Sequence, residues 1–123
     1  MNTPVSFEIA KLLKEKGFDL PCRLLYKSEK ELEEGIGVDY DWNRFDSYSA
    51  PTIAEVVMWL YEKHGIWIRV TPKPYSHFLT HWRWEHMSTD YSTRNCGWEK
   101  VKDYMTPTEA YEAAIIYTLK NLI

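Results

Sequence analysis

The hydrophobic and polar positions from Thr52 to Val70 predict a capped helix, a tight stop and a strand. Thr52 and Glu55 have capping-box spacing, which satisfies two backbone N–H groups at the start of a helix. Gly65 is typical of the left-handed residue that ends a helix, and the residues beyond it alternate with the period of a strand. The hydrophobic side of the helix is broad, so we expect neighbours to cover it on two sides. That side carries Ile53, Ala54, Val56, Val57, Met58, Leu60, Tyr61 and His64.

Two further helices are predicted on either side of this central segment. Ser6 can cap a first helix that ends near Gly17. Thr106 and Glu109 form a second capping box, which begins a helix that runs to about Leu122. Both helices carry a hydrophobic stripe at helical spacing, so each should pack one side against a common core.

Alternation typical of strands recurs outside the central segment. Arg23–Lys27 predicts a short strand and His77–Met87 a long one, while Trp98–Tyr104 can add a further short strand. A short turn joins Ile66–Thr71 to the long strand, so these two should pair antiparallel. The predicted core face of the long strand carries Phe78, Thr80, Trp82 and Trp84, and its other face carries His77, Leu79, His81, Arg83 and Glu85.

These elements indicate a single α+β domain over residues 1–123. A hydrophobic content of 45% is enough to form a core for a chain of this length. The expected order is helix, short strand, long loop, helix, strand, strand, an optional strand, and helix. We expect a small antiparallel sheet of three strands, or four with the optional one, packed with three helices.

The segment from Ser28 to Ala50 is predicted to be a long loop with two different halves. It holds seven acids and two bases, so the first half, Glu29–Gly37, should be mobile. Aromatic side chains in the second half would leave large hydrophobic area in water, so Tyr40–Tyr48 should dock on the protein's own surface. We expect that docking site near Trp59 and the start of the central helix. The aromatic residues are Tyr40, Trp42, Phe45 and Tyr48.

Charge and cysteine usage narrow the class of protein. The net charge of −3 argues against non-specific binding of nucleic acid, which needs a basic surface. Cys22 and Cys96 are far apart and form no disulfide framework. No stretch has the pattern of a secretory signal or is hydrophobic enough to span a bilayer. We therefore expect a reduced, cytoplasmic protein with no membrane partner.

Three blocks of the sequence correspond to the predicted helices and their flanks: SFEIAKLLKEKGFDLPCR, PTIAEVVMWLYEKHGIWI and TPTEAYEAAIIYTLKNLI. They resemble a group of small uncharacterised proteins encoded by gut Bacteroides-type bacteria and by the phages and mobile elements of those hosts. The resemblance implies a small cytoplasmic protein that is phage-borne or carried on a mobile element. It implies no activity and no site residue, because the matching blocks are framework helices.

A calcium loop is the first metal site that the sequence suggests. Asp39, Asp41 and Asn43 match its first three ligand positions, but Arg44 and Ala50 stand where the loop needs glycine and glutamate. Without the bidentate glutamate the site loses its main ligand. An Asp/Asn-rich turn is therefore the better interpretation.

Zinc binding and nucleophilic catalysis are also weakly supported. His77 and His81 share a strand face but lie about 13 Å apart by strand rise, which is too far to share one zinc ion. A zinc site would need His64 or Cys96 in addition. Cys96 with a histidine could make a nucleophile and base, but no local signature surrounds it. We predict no catalytic, cofactor-binding or metal-binding residue and expect no cofactor.

The aromatic content without a catalytic pattern favours a non-enzymatic interaction or adaptor protein, which binds a protein partner or forms a homo-oligomer. Trp59 falls on the polar side of the central helix, so it either contacts a partner or, as we favour, packs beneath the acidic loop. The alternative is a nucleic-acid-binding module on an aromatic and basic sheet face, unless a helix covers that face. An enzyme of unknown reaction is third. Candidate protein contacts are Tyr40, Trp42, Phe45, Tyr48 and Trp59, and candidate nucleic-acid contacts are Trp67, Arg69, His81 and Arg83.

Overall fold

Three helices and five strands make up residues 3–35, 39–72, 81–88 and 103–123, the part of the chain that the computed structural model describes. The helices are α1 (Phe7–Glu15), α2 (Ile53–His64) and α3 (Pro107–Asn121). The strands are β1 (Leu24–Tyr26), β2 (Leu32–Glu34), β3 (Tyr48–Ser49), β4 (Ile66–Pro72) and β5 (Trp82–Ser88). The predicted α+β class with three helices is confirmed.

Each helix begins where its capping residue predicts. The hydroxyl of Thr52 accepts from the backbone N–H of Glu55, and the Glu55 carboxylate accepts from the backbone N–H of Thr52, both at 3.2 Å. α2 ends at Gly65, whose φ of 68° is left-handed. Ser6 and Thr106 cap α1 and α3 by accepting from the N–H three residues on, at 3.4 and 3.1 Å. Such caps stabilise a helix by about 1 kcal/mol each.

The strands form two antiparallel sheets, whereas one sheet was expected. β4 and β5 pair along their whole length, from Ile66 opposite Ser88 to Pro72 opposite Trp82. We call this pair the β4–β5 ribbon. In the second sheet β1 lies between β2 and β3. The antiparallel pairing that the sequence predicts is present in both.

β2 and β3 lie inside the segment that was predicted to be a loop. Two ion pairs cross from β1 and its flanks to β2: Lys27 with Glu33 at 3.2 Å, and Arg23 with Glu34 at 2.6 Å. Both bases lie outside the Ser28–Ala50 segment. They neutralise two of its acids, so the repulsion within the segment is weaker than its own composition predicts. Residues 36–38, in the half expected to be mobile, lie outside the described residues.

β5 confirms part of the predicted strand His77–Met87, whose residues 77–80 lie outside the described part. Trp84 faces the core, as predicted, and is 8% exposed. At the start of β5, Trp82 forms an antiparallel bridge with Tyr104, with N···O distances of 2.7 and 3.0 Å. Residues 98–102 of the optional strand Trp98–Tyr104 lie outside the described residues.

One hydrophobic core joins all three helices to the β4–β5 ribbon. α1 and α2 both pack against α3, and α2 and α3 both contact β4. Residues before α1 also join this unit, because the N–H of Val5 donates to Pro51 O and the N–H of Ile53 donates to Thr3 O. The largest buried side chains include Ile9, Leu13, Phe18, Ile53, Val56, Leu60, Ile68, Ile115 and Leu119.

The buried side of α2 differs from the predicted one. Met58 and Tyr61 are 44% and 45% exposed and His64 is exposed as well, whereas Trp59 is only 3% exposed. At 100° per residue, the buried arc is rotated by about 60° toward Trp59. The cause is Phe18, whose ring packs against Trp59 with centroids 5.2 Å apart. The chain after α1 therefore covers the side of α2 that looked polar in the sequence.

Candidate protein-contact surface

Four exposed hydrophobic side chains from three elements form a continuous surface, the ribbon patch, which consists of Met58, Tyr61, Trp67 and Met87. Met58 and Tyr61 are neighbours three residues apart on α2. The rings of Tyr61 and Trp67 meet edge to face with centroids 5.6 Å apart. Trp67 lies opposite Met87 in the ribbon. Their exposed fractions run from 37% to 46%, so this is a hydrophobic surface left in water.

An ion pair borders the ribbon patch on the same face of the ribbon. Arg69 follows Trp67 on that face of β4, and its guanidinium pairs with Glu85, its cross-strand neighbour. An aromatic centre with polar groups at its rim is the usual composition of a protein interface. The patch lies on a helix and two paired strands, so its side chains are positioned before any partner arrives. Such pre-organisation lowers the entropy cost of binding.

The functional interpretation depends on this surface, because similarity to known proteins adds nothing. No family model, curated protein or solved structure matches the chain. The resemblance to proteins of gut Bacteroides-type bacteria and their phages therefore stays a prediction. Within the described residues, no helix is both long and hydrophobic enough to cross a membrane.

The residues predicted for nucleic-acid contact are brought together only in part. Trp67, Arg69 and Arg83 share the outer face of the ribbon, while His81 precedes β5. Both arginines have acidic partners, Arg69 in the pair described above and Arg83 with Asp103 at 3.3 Å. Among the described residues these two ion pairs carry no net charge, so they contribute little of the positive field that a nucleic acid requires. Nucleic-acid binding stays a prediction that this face supports weakly.

The aromatic segment, Tyr40–Tyr48, presents two exposed rings and two partly buried ones. Tyr40 and Phe45 stack with centroids 5.6 Å apart, and Trp42 meets Tyr40 at the same distance. Phe45 is 55% exposed and Tyr40 38% exposed. Trp42 and Tyr48 pack against the core. Tyr40 and Phe45 are therefore the members of this predicted set that a partner could reach.

The aromatic segment docks only in part where it was expected. The indole N–H of Trp42 donates to Cys22 O at 2.7 Å, and the side-chain amide of Asn43 donates to Phe18 O at 2.9 Å. These contacts lie on the chain after α1. Phe18 itself packs on Trp59, so the segment lies near Trp59 as expected, but these contacts do not involve the start of α2. The backbone bridge between Cys22 and Tyr40 explains the difference, because it draws the segment alongside residues 18–22.

The side chain of Lys14 connects the aromatic segment to α1 through hydrogen bonds. Its ammonium donates to the carbonyl oxygens of Phe45 and Ser47 at 2.7 and 2.9 Å and lies 4.8 Å from the ring centroid of Tyr48. Hydrogen bonds from a charged donor contribute about 1.5–3 kcal/mol each in favourable cases. Lys14 is therefore the largest polar contribution that we identify to docking of this segment.

Replacing Lys14 with methionine should loosen the aromatic segment without unfolding the protein. Methionine keeps the hydrophobic stem over Tyr48 but offers no donor to the two carbonyl groups. We expect amide hydrogen exchange at residues 43–48 to become about tenfold faster or more. Lys11→Met, a change on the same helix outside this contact, should leave those rates unchanged. Unchanged exchange in the Lys14 variant would show that the aromatic rings alone hold the segment.

Trp59 is not an exposed contact residue. Its ring packs edge to face on Phe18 and on His64, with centroid distances of 5.2 and 4.9 Å. The prediction that it might contact a partner is therefore wrong for the folded chain, because its ring is covered. The favoured expectation placed Trp59 beneath the acidic loop; the residue is buried, but its ring contacts come from Phe18 and His64. Gly17, with φ of 84°, turns the chain so that Phe18 can return to α2.

The Asp/Asn-rich stretch forms a single turn of 3₁₀ helix, Trp42–Arg44, with Asp41 as its cap, in keeping with the turn that the sequence favoured. The Asp41 carboxylate accepts from the backbone N–H of Asn43 at 3.2 Å and lies 3.6 Å from the Arg44 guanidinium. Asn43 uses its amide oxygen to accept from the N–H of Ser49. The described ranges contain no group of three His, Cys, Asp or Glu side chains placed to hold a metal ion. His77 and Cys96 lie outside these ranges.

Cys22 has the properties of a structural residue. It is 2% exposed, and burial raises the pKa of its thiol to about 12, with a smaller contribution from Glu55. A thiol with so high a pKa holds almost no thiolate near neutral pH, and the thiolate is the reactive form. Cys22 therefore packs as a small hydrophobic side chain.

His86 is a buried titratable group on the inner face of β5. It is 3% exposed and lies 5.8 Å, between ring centroids, from both Trp84 and Tyr117. Neither ring nitrogen has a hydrogen-bond partner within the described residues. Burial lowers the pKa of His86 below its ordinary value of 6.5, because the core disfavours the charged imidazolium.

Because His86 is buried and its pKa is lowered, the free energy of unfolding should fall as the pH drops below about 6.5. The unfolded chain takes up a proton at the ordinary histidine pKa, whereas the folded chain resists it. The stabilisation is thus present above that pH and is lost as the pH falls through the lowered pKa of the folded state. Urea melts at about pH 7.5 and about pH 5.5 should show a smaller loss in His86→Leu than in the original protein.

His64 provides the control for this pH experiment. Partial burial and the charge of Lys63 lower the pKa of His64 as well, although this residue is exposed to solvent. His64→Gln should therefore retain most of the acid-induced loss. Equal losses in the original protein and in His86→Leu would show that other groups cause the pH dependence.

Of the ribbon patch, only Trp67 is predicted from the sequence as a contact residue; the other three members are not. Met58 and Tyr61 were assigned to the buried side of α2, and Met87 was given no role. The available signal was the parity of the strands, because Trp67 and Met87 both fall on the outward face. The missing information was which side of α2 the chain after α1 covers.

Proposed function

We propose that this protein is a non-enzymatic interaction or adaptor module that binds another protein, or a second copy of itself, through the ribbon patch. The observation that carries the proposal is the edge-to-face pair of Tyr61 and Trp67 at the centre of that exposed patch. Tyrosine and tryptophan are the types most often found where binding energy concentrates in interfaces. Burying such rings against a partner supplies a large hydrophobic gain.

The stacked rings of Tyr40 and Phe45 supply a second, smaller contact surface in this proposal. The aromatic segment could also present Trp42 and Tyr48 to a partner if the Lys14 contact were released. We further propose a cytoplasmic location and an origin in phages or mobile elements of gut Bacteroides-type bacteria. These two statements rest on the sequence, in particular on the resemblance of the three helical blocks.

A double substitution, Tyr61→Ser with Trp67→Ser, tests the ribbon patch. Both residues are more than one-third exposed, so the variant should fold, with a circular dichroism spectrum like that of the original protein. We expect a protein recovered by affinity capture, or a dimer seen by light scattering, to be lost in the variant. Hot-spot residues cost at least about 2 kcal/mol each when truncated, so affinity should fall more than thirtyfold.

Leu32→Ser is the matched control, because Leu32 is 42% exposed but lies on β2 in the other sheet. It should bind as the original protein does. A strict monomer with no captured partner would contradict the proposal. So would a partner retained equally by both variants.

A further inference from the structure

A groove of about 600 Å³ runs along the solvent side of α1, on a part of the molecule that the ribbon patch does not include. Phe7 and Leu12 supply its hydrophobic lining, and both also pack partly against the protein. The turn between β1 and β2 forms its far wall and contributes Glu29. Its volume falls within the range of small-molecule sites, about 300–1,000 Å³.

The charged groups around the groove are mostly negative. Glu8, Glu15 and Glu29 line it together with one base, Lys11. Within the described residues no ion pair engages Glu15 or Glu29, whereas Glu8 lies 3.4 Å from Lys120. The Lys11 ammonium lies 5.8 Å from the ring centroid of Phe7. The lining residues therefore carry a formal charge of −2 over a hydrophobic floor, and Lys120 offsets the contribution of Glu8.

We propose that this groove binds a basic peptide segment of a partner protein, with hydrophobic side chains on Phe7 and Leu12 and cationic side chains beside Glu15 and Glu29. The carboxylates of Glu15 and Glu29, for which the described part of the chain supplies no ion pair, attract cations to the rim and repel acidic segments. Lysine and arginine suit the site because their aliphatic stems can lie on the hydrophobic floor while the charged ends reach the carboxylates.

With a partner on each of the two surfaces, the protein would join two other proteins and so act as an adaptor. The ribbon patch would bind an aromatic and aliphatic surface of one partner, and the groove would bind a positively charged segment of another. They share no residue, so either can fail while the other stands. The proposal for the groove goes beyond the proposed function and does not depend on the ribbon patch.

The test uses the full chain and a blocked octapeptide of alternating lysine and leucine, followed by NMR amide shifts. We expect shifts in residues 7–15 and in the turn that carries Glu29, and none with the matching glutamate–leucine peptide. Glu15→Gln with Glu29→Gln should weaken binding about fivefold, because two exposed ion pairs of about 0.5 kcal/mol each sum to about 1 kcal/mol. Lys11→Gln should tighten it, since it removes the one competing cation from the groove.

A control variant separates the groove from overall charge. Asp46→Asn with Glu62→Gln removes the same two charges from exposed positions outside the groove, and its affinity should stay within about twofold of the original. The proposal is overturned if that control weakens binding as much as the groove variant. It is also overturned if both peptides shift the same amides, or if spermidine binds as tightly as the basic peptide, because charge alone would then explain binding.

Discussion

Replacing Leu60 with alanine is expected to lower the free energy of unfolding by about 2–5 kcal/mol. Leu60 is 0% exposed and belongs to the core cluster that joins α2 to the other two helices and the β4–β5 ribbon. Truncation removes hydrophobic contacts and leaves a cavity, because helices packed on several sides cannot all move inward to fill it. Most domains of this size are stable by about 5–15 kcal/mol, so the loss is a large fraction of the total.

Urea melts with a constant slope would measure this loss. Met58→Ala is the matched control on the same helix, because Met58 is 44% exposed and should lose no more than about 0.5 kcal/mol. A loss below about 1 kcal/mol in Leu60→Ala would show that α2 is peripheral to the core.

The second large effect is expected at Trp59, where two substitutions should differ sharply. Trp59→Ala should cost about 3–5 kcal/mol, because it empties the space between Phe18 and α2. Trp59→Phe should cost only about 1 kcal/mol. The indole N–H has no hydrogen-bond partner within the described residues, so phenylalanine removes an unsatisfied donor while it keeps an aromatic ring.

Urea melts of both variants would separate these contributions. A loss in Trp59→Phe as large as that in Trp59→Ala would mean that the indole N–H is needed for stability. If neither variant lost stability, Trp59 would have to be exposed and free to contact a partner, contrary to its burial.

The helices could be predicted well because their signals are local. Ser6, Thr52 and Thr106 cap the N–H groups of their own first turn, and Gly17 and Gly65 both adopt positive φ at the ends of α1 and α2. Strand alternation predicted β4 and most of β5 for the same reason. None of these inferences required knowledge of distant parts of the chain.

Predictions failed where distant residues decide the outcome. β2 and β3 are short and pair with β1 through partners that the local pattern does not reveal, as in the ion pair of Arg23 with Glu34. The buried arc of α2 depends on Phe18, which lies about forty residues earlier. The prediction of the contact surface contains the same error, because Tyr61 could be recognised as exposed only after Trp59 was known to be buried.

The pairing of α1 with α3 has a consequence for how the molecule assembles. The two helices pack together, and Lys16 Nζ donates to Ile123 O at 2.7 Å, although most of the chain lies between them. On the ribosome, α1 emerges long before this neighbour is synthesised. One side of α1 must therefore stay exposed through most of translation. Closing so long a loop costs entropy that only the completed core repays, so non-local contacts of this kind slow folding.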